Sequence, residues 1–166
     1  MTGRPEFSRP VPADRIGPGG LEQTIEATAA ERAALAVRLG VPEVLALAAT
    51  FRLSRGAAGR IAARAHLAGR LVRECVVSLD PFTADIAEDF SVAFVPEASL
   101  DPAIDLEGDD EIPYTGGVID IGEAVAEQVA LTLDPYPRRP GATLAEAAMS
   151  DPALPFAAPE RRKWDG

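Results

Sequence analysis

Residues 44–94 read VLALAATFRLSRGAAGRIAARAHLAGRLVRECVVSLDPFTADIAEDFSVAF, and their two-residue period decides the fold. Leu45, Leu47, Ala49, Phe51 and Leu53 fall on one side of an extended chain. Arg55-Gly-Ala-Ala-Gly59 makes a turn. Ile61, Ala63, Ala65, Leu67, Gly69 and Leu71 form the apolar side of a second run that continues toward Leu79, with a bend near Gly69. Asp80-Pro81 is the next turn signal. Phe82, Ala84, Ile86, Phe90, Val92 and Phe94 make a third apolar side, interrupted by Glu88, which predicts an edge position or a bulge there. Three alternating runs joined by short turns predict an antiparallel meander with one apolar face.

Outward from this core, the flanks supply the cover. Glu6 to Val11 reads as a short strand, and Leu21 to Ala27 alternates as another. Thr28 and Glu31 form a capping box for a helix over Ala29 to Leu39, with Gly40 to end it and Pro42 beyond. On the other side, Pro96 to Gly117 is acidic, rich in Pro and Gly, and reads as a loop. Asp120 caps a second helix with Glu123 as its capping-box partner; Ile121, Val125, Val129 and Leu133 share one face, and Pro135 and Pro137 force an extended exit. The fold class is α+β: an antiparallel meander, either a curved sheet or a partly closed barrel, covered by two amphipathic helices. One domain spans residues 1–141, with its acidic loop at 96–117. A weakly structured tail over 142–166 holds one short helix near Thr143 to Met149.

The net charge of −10 is unevenly spread. Residues 1–84 hold eleven Arg against eight Asp or Glu, whereas residues 85–134 hold fourteen Asp or Glu and no Lys or Arg. Such a block repels phosphate and attracts cations or basic proteins, although a solvated surface has the same composition. Two surfaces follow. Arg52, Arg60, Arg64, His66 and Arg70 can share the polar face of two neighbouring strands and track an RNA backbone, unless they pair with the acidic segment. Asp105, Glu107, Asp109, Asp110, Glu111, Glu123 and Glu127 can meet a basic partner. No aromatic residue interleaves the arginines, so base stacking is not expected.

Catalytic and metal patterns are weak. His66 is the sole histidine, and Cys75, the sole cysteine, has Ser78 rather than a second thiol three residues on, which predicts a buried inert thiol. Asp105 to Glu111 does not match a calcium-loop spacing. No phosphate-binding Gly-rich loop or nucleophile elbow occurs. The expectation is a non-enzymatic chain with no cofactor, no metal and no small-molecule substrate. One cysteine, no run of 18 apolar residues and no apolar leader in 1–15 point to a cytoplasmic protein away from membranes; a monomer is expected.

Four segments resemble the YceD family of large ribosomal RNA subunit accumulation proteins: EFSRPV at 6–11, AAERAALAVRLGVPEV at 29–44, RECVVSLDPFTADIAEDFSVAFVPE at 73–97 and VIDIGEAVAEQVALTLDPYPRRPG at 118–141. The last carries the motif positions Ile119, Asp120, Gly122, Glu123, Glu127, Leu131, Leu133, Pro135 and Pro137. The resemblance implies a bacterial protein that supports 23S ribosomal RNA accumulation or processing and large-subunit assembly. Its partners would be a large-subunit ribosomal protein, pre-ribosomal 23S RNA, or both. The alternative is an acidic adaptor or holdase for a basic protein, without direct RNA binding. The family implies no catalytic residues. Many members carry a Cys-x-x-Cys and a further Cys after the Pro-x-Pro, hinting at metal. Here Ser78 and Arg138-Arg139 stand at those places.

Overall fold

The computed structural model describes residues 5–99 and 110–142. The three alternating runs become β3 (Glu43–Arg55), β4 (Ile61–Glu74) and β5 (Pro81–Pro96). With β2 (Leu21–Glu26) ahead of them they form the predicted antiparallel meander, and β6 (Asp110–Tyr114) joins β5 in parallel. The sheet is open, in the order β2-β3-β4-β5-β6, so the barrel alternative falls away. A second, two-stranded ribbon pairs β1 (Pro10–Pro12) with β7 (Val118–Asp120). α1 (Ala29–Leu39) and α2 (Ile121–Thr132) complete the α+β fold.

The core lies on the inward face of the meander. Leu47, Ala49, Phe51 and Leu53 of β3 and Ile61, Ala63, Leu67 and Leu71 of β4 are buried at alternate positions. Phe51 meets Phe90 edge-on at 5.9 Å between ring centroids, a favoured aromatic geometry. Leu35 of α1 and Ile121, Val125 and Val129 of α2 join the same cluster. α1 begins with the full Thr28–Glu31 capping box and ends at Gly40 in the left-handed region, φ 63°, where glycine carries no Cβ penalty.

Several expectations are corrected. Leu45 is 38% exposed rather than inward, because β3 bulges between Val44 and Ala46 opposite Leu71 and Arg70. The extra residue shifts the inward position to Val44. Gly69, the expected bend, keeps unbroken pairing to Leu47 and to Ile86. β4 stops at Glu74 instead of running to Leu79; the Cys75 N–H donates to the Asp80 carbonyl at 2.9 Å and Leu79 N–H to the Cys75 carbonyl at 2.8 Å, closing a turn with Leu79 at φ 61°. The first strand is Pro10–Pro12, not Glu6–Val11: two prolines suit a short ribbon but not a sheet interior. The acidic loop contains β6, hidden in the sequence because Pro113 sits in it and Ile112 is its one aliphatic. Glu88 has no bulge, since its pairing with Leu67 is continuous, but it lies where β5 is a sheet edge. The helix expected near Thr143 to Met149 lies outside the described residues.

Candidate functional site: a charge-paired sheet face

Strand alternation that buries Leu67 turns Arg64, His66 and Arg70 to the opposite face of β4, and Arg52 of β3 sits directly across from Arg64. The five candidate cations are therefore brought to one side, as the pattern predicts. The β2–β3 and β4–β5 pairings also deliver an acid beside a base. Glu22 of β2 faces Arg52 and bonds it at 2.9 Å. Asp89 of β5 faces His66 at 2.8 Å, and Asp85 faces Arg70 at 2.6 Å. Arg60, just before β4, pairs with Glu111 of β6. Arg64 alone of the five has no carboxylate partner among the described residues; across from it lie Arg52 and Ser91. Directly opposed like charges repel, and Glu22 offsets this from one side only. The Asp85 guanidinium partner holds its carboxyl below the usual range, and Asp85 in turn raises Arg70. The arginine face is thus a set of cross-strand ion pairs rather than a free cationic track.

The acidic candidates among the described residues are spread over β6 and α2. Asp110 is exposed on β6 beside Glu111. Glu123 and Glu127 stand on α2; Asp105, Glu107 and Asp109 lie outside the described residues. Glu123 is not a capping-box partner. Both its oxygens bond Arg38 of α1, at 2.7 and 2.9 Å, and Arg38 also reaches Glu6. The Arg38 guanidinium bridges the Glu123 and Glu6 carboxylates at this corner and is itself raised, by Glu123 first. Glu127 is exposed, yet its carboxyl is raised, by desolvation first and by the Glu123 charge second.

The motif segment 118–137 proves to be a structural clasp. Asp120 accepts the Gly122 and Glu123 N–H groups as N-cap, and also the Arg9 N–H at 2.7 Å and the Ser8 hydroxyl at 2.5 Å. Gly122 lies so close to the N-terminal segment that a Cβ would come within 2.7 Å of the Phe7 carbonyl oxygen. Ile119 is fully buried, Leu133 is half-buried, and Leu131 is 75% exposed. The Pro135–Pro137 exit runs back to the β4–β5 turn, where Val76 N–H donates to the Pro137 carbonyl at 2.9 Å. Beside it the buried Cys75 Sγ accepts the Arg139 N–H at 3.4 Å. That N–H, and next the Ser78 N–H, lower the thiol to about 7. The knuckle offers one thiol, so a multi-thiolate metal site does not fit these residues. Among the described residues no group of three metal-ligating side chains converges.

Sequence reasoning missed Glu88. It faces inward and its carboxylate accepts from Gln128 Nε2 at 3.2 Å and from Thr132 Oγ1, tying α2 to the inward face of β5. Its break in an apolar alternation was the signal. Among the described residues, no helix is long and apolar enough to cross a membrane.

The open sheet, its ion-paired outer face and the helical clasp define an acidic α+β protein whose exposed chemistry is carboxylate-rich. A family profile then matches residues 63–154, more than half of the chain, under the description large ribosomal RNA subunit accumulation protein YceD. This chain belongs to that family, whose name ties it to accumulation of the large-subunit ribosomal RNA. The match takes in the β4–β5 hairpin and the clasp; the segments at 6–11 and 29–44 precede it. No curated protein matches the chain, and no solved structure does.

Proposed function

We propose that this chain is a non-enzymatic ribosome-biogenesis factor, acting in the cytoplasm, that supports 23S ribosomal RNA accumulation and large-subunit assembly by engaging a basic ribosomal protein. Family membership supports the ribosomal role. The charge pairing of the sheet face supports a protein partner over direct RNA contact: Arg52, Arg60, His66 and Arg70 each already hold a carboxylate. Phosphate would have to displace those carboxylates, and few counterions would be released from the RNA in return. Glu97, Asp110 and Glu127 hold no cation among the described residues and are open to a basic partner.

One observation favours a second reading. Arg64 has no carboxylate partner among the described residues, and a single phosphate contact there would place the protein against pre-ribosomal RNA. The biogenesis role itself is tested by sedimentation and deletion. The protein should travel with large-subunit precursors, and its loss should lower 23S levels. Free protein at the top of the gradient, together with unchanged 23S after deletion, would remove the reading.

A further inference from the structure

β5 has two unequal parts. Val92–Pro96 is paired on both sides, by β4 and β6, whereas Phe82 to Ser91 is paired only by β4. In an antiparallel pair, alternate residues turn both N–H and C=O away from the partner. Those groups of Phe82 to Ser91 therefore point to an edge with no strand beside it among the described residues. The side chains show the same incomplete cover. Inward residues of β4 such as Ile61, Leu67 and Leu71 are buried, but Phe82, Ile86 and Phe90 of β5 are only half-buried. The other sheet edge, β2, is shorter, and its inward Ile25 is already buried.

The charge along this edge selects its occupant. Asp85 and Asp89 lie on it, and Asp110 stands at its end, opposite Val92. A second copy of a chain with net charge −10 would be repelled. An extended basic segment would be attracted, because a carboxylate that accepts from one cation keeps lone pairs for another, so Asp85 and Asp89 need not release Arg70 and His66. We propose that the Phe82 to Ser91 edge is the docking site for an extended, Lys/Arg-rich segment of a partner protein, which adds as a strand beside β5 and end to end with β6. The apolar side chains of that segment complete the face of Phe82, Ile86 and Phe90; its cations meet Asp85 and Asp89. The inference rests on the reading of a basic protein partner given above.

The probe is a synthetic peptide of roughly nine residues alternating Val with Lys or Arg, compared with the same peptide N-methylated at every second residue. N-methylation keeps the charge and removes the edge-facing donors. The unmodified peptide should bind the full-length protein and slow hydrogen exchange at alternate amides of Phe82 to Ser91. The methylated one should bind at least about tenfold more weakly. Equal binding by both, binding by neither at low salt, or edge amides already protected in the free protein would each overturn the proposal. The last outcome would mean that another part of this chain, or a second copy, covers the edge. Excess peptide added to a cell-lysate pull-down separates this proposal from the one it rests on. A basic ribosomal protein retained despite saturating peptide removes edge docking and leaves the biogenesis role. Edge protection by the peptide, with no ribosomal partner recovered, removes the biogenesis role and leaves edge docking.

Discussion

At the scale of single residues, two joints carry tight local constraints. Gly122 lets α2 start against the Phe7–Arg9 backbone, and there a Cβ would meet main-chain atoms that cannot swing aside. Gly122→Ala should cost about 1–3 kcal/mol, as overpacking does, read from urea unfolding midpoints. Leu79 is the opposite case: it is 68% exposed and held at φ 61°, where a non-glycine residue pays about 1–2 kcal/mol. Leu79→Gly removes that strain but frees the unfolded chain, at about 0.5–1 kcal/mol. A net gain of about 0.5–1 kcal/mol is expected, and a destabilised variant would show that the Leu79 side chain packs. Asp120→Ala removes an N-cap and two tethers to the N-terminal segment. A loss of about 2–3 kcal/mol follows. The sequence showed Asp120 as a cap because capping is local. It did not show why Gly122 stands after it, because Phe7 is over a hundred residues away.

At the scale of elements, arginines bind the helical cover together. Arg9 holds Glu31 of α1 with both Nη groups, at 2.5 and 2.9 Å. Its guanidinium lowers the Glu31 carboxyl to about 2, helped by the Thr28 cap. A carboxylate depressed on folding stabilises fully above its unfolded value, about 4.5, and loses that contribution as pH falls through the folded value. The stability gap between the wild type and Glu31→Gln should therefore be full at neutral pH and close progressively from about pH 5 down to about pH 2. A gap that stays constant in acid would contradict the Arg9–Glu31 assignment. Elements with a strict period or a local cap, β3, β4, β5, α1 and α2, were legible in the residues. β6 was not, because parallel pairing to β5 stabilises a strand that Pro113 and its acids argue against. Nor was the bulge at Leu45, since either register leaves an apolar run in Leu45–Leu47.

At the scale of the whole molecule, charge is paired across the sheet and left over beyond it. The basic first half and acidic second half of the chain meet across the sheet in Arg60–Glu111, His66–Asp89 and Arg70–Asp85. Composition alone showed the asymmetry but not its cancellation, which depends on register. The surplus of −10 remains for a partner. Partner binding should weaken as salt rises, since exposed charges are screened beyond about 8 Å at physiological ionic strength. Arg64→Ala should leave it unchanged if the partner is a basic protein. The most direct test of that central claim is an affinity pull-down of the tagged protein from its own cells, with and without nuclease, read by mass spectrometry and RNA sequencing. One basic large-subunit ribosomal protein should be retained after nuclease. Loss of every ribosomal protein on nuclease, with 23S fragments recovered only in its absence, would contradict it and put the contact on RNA.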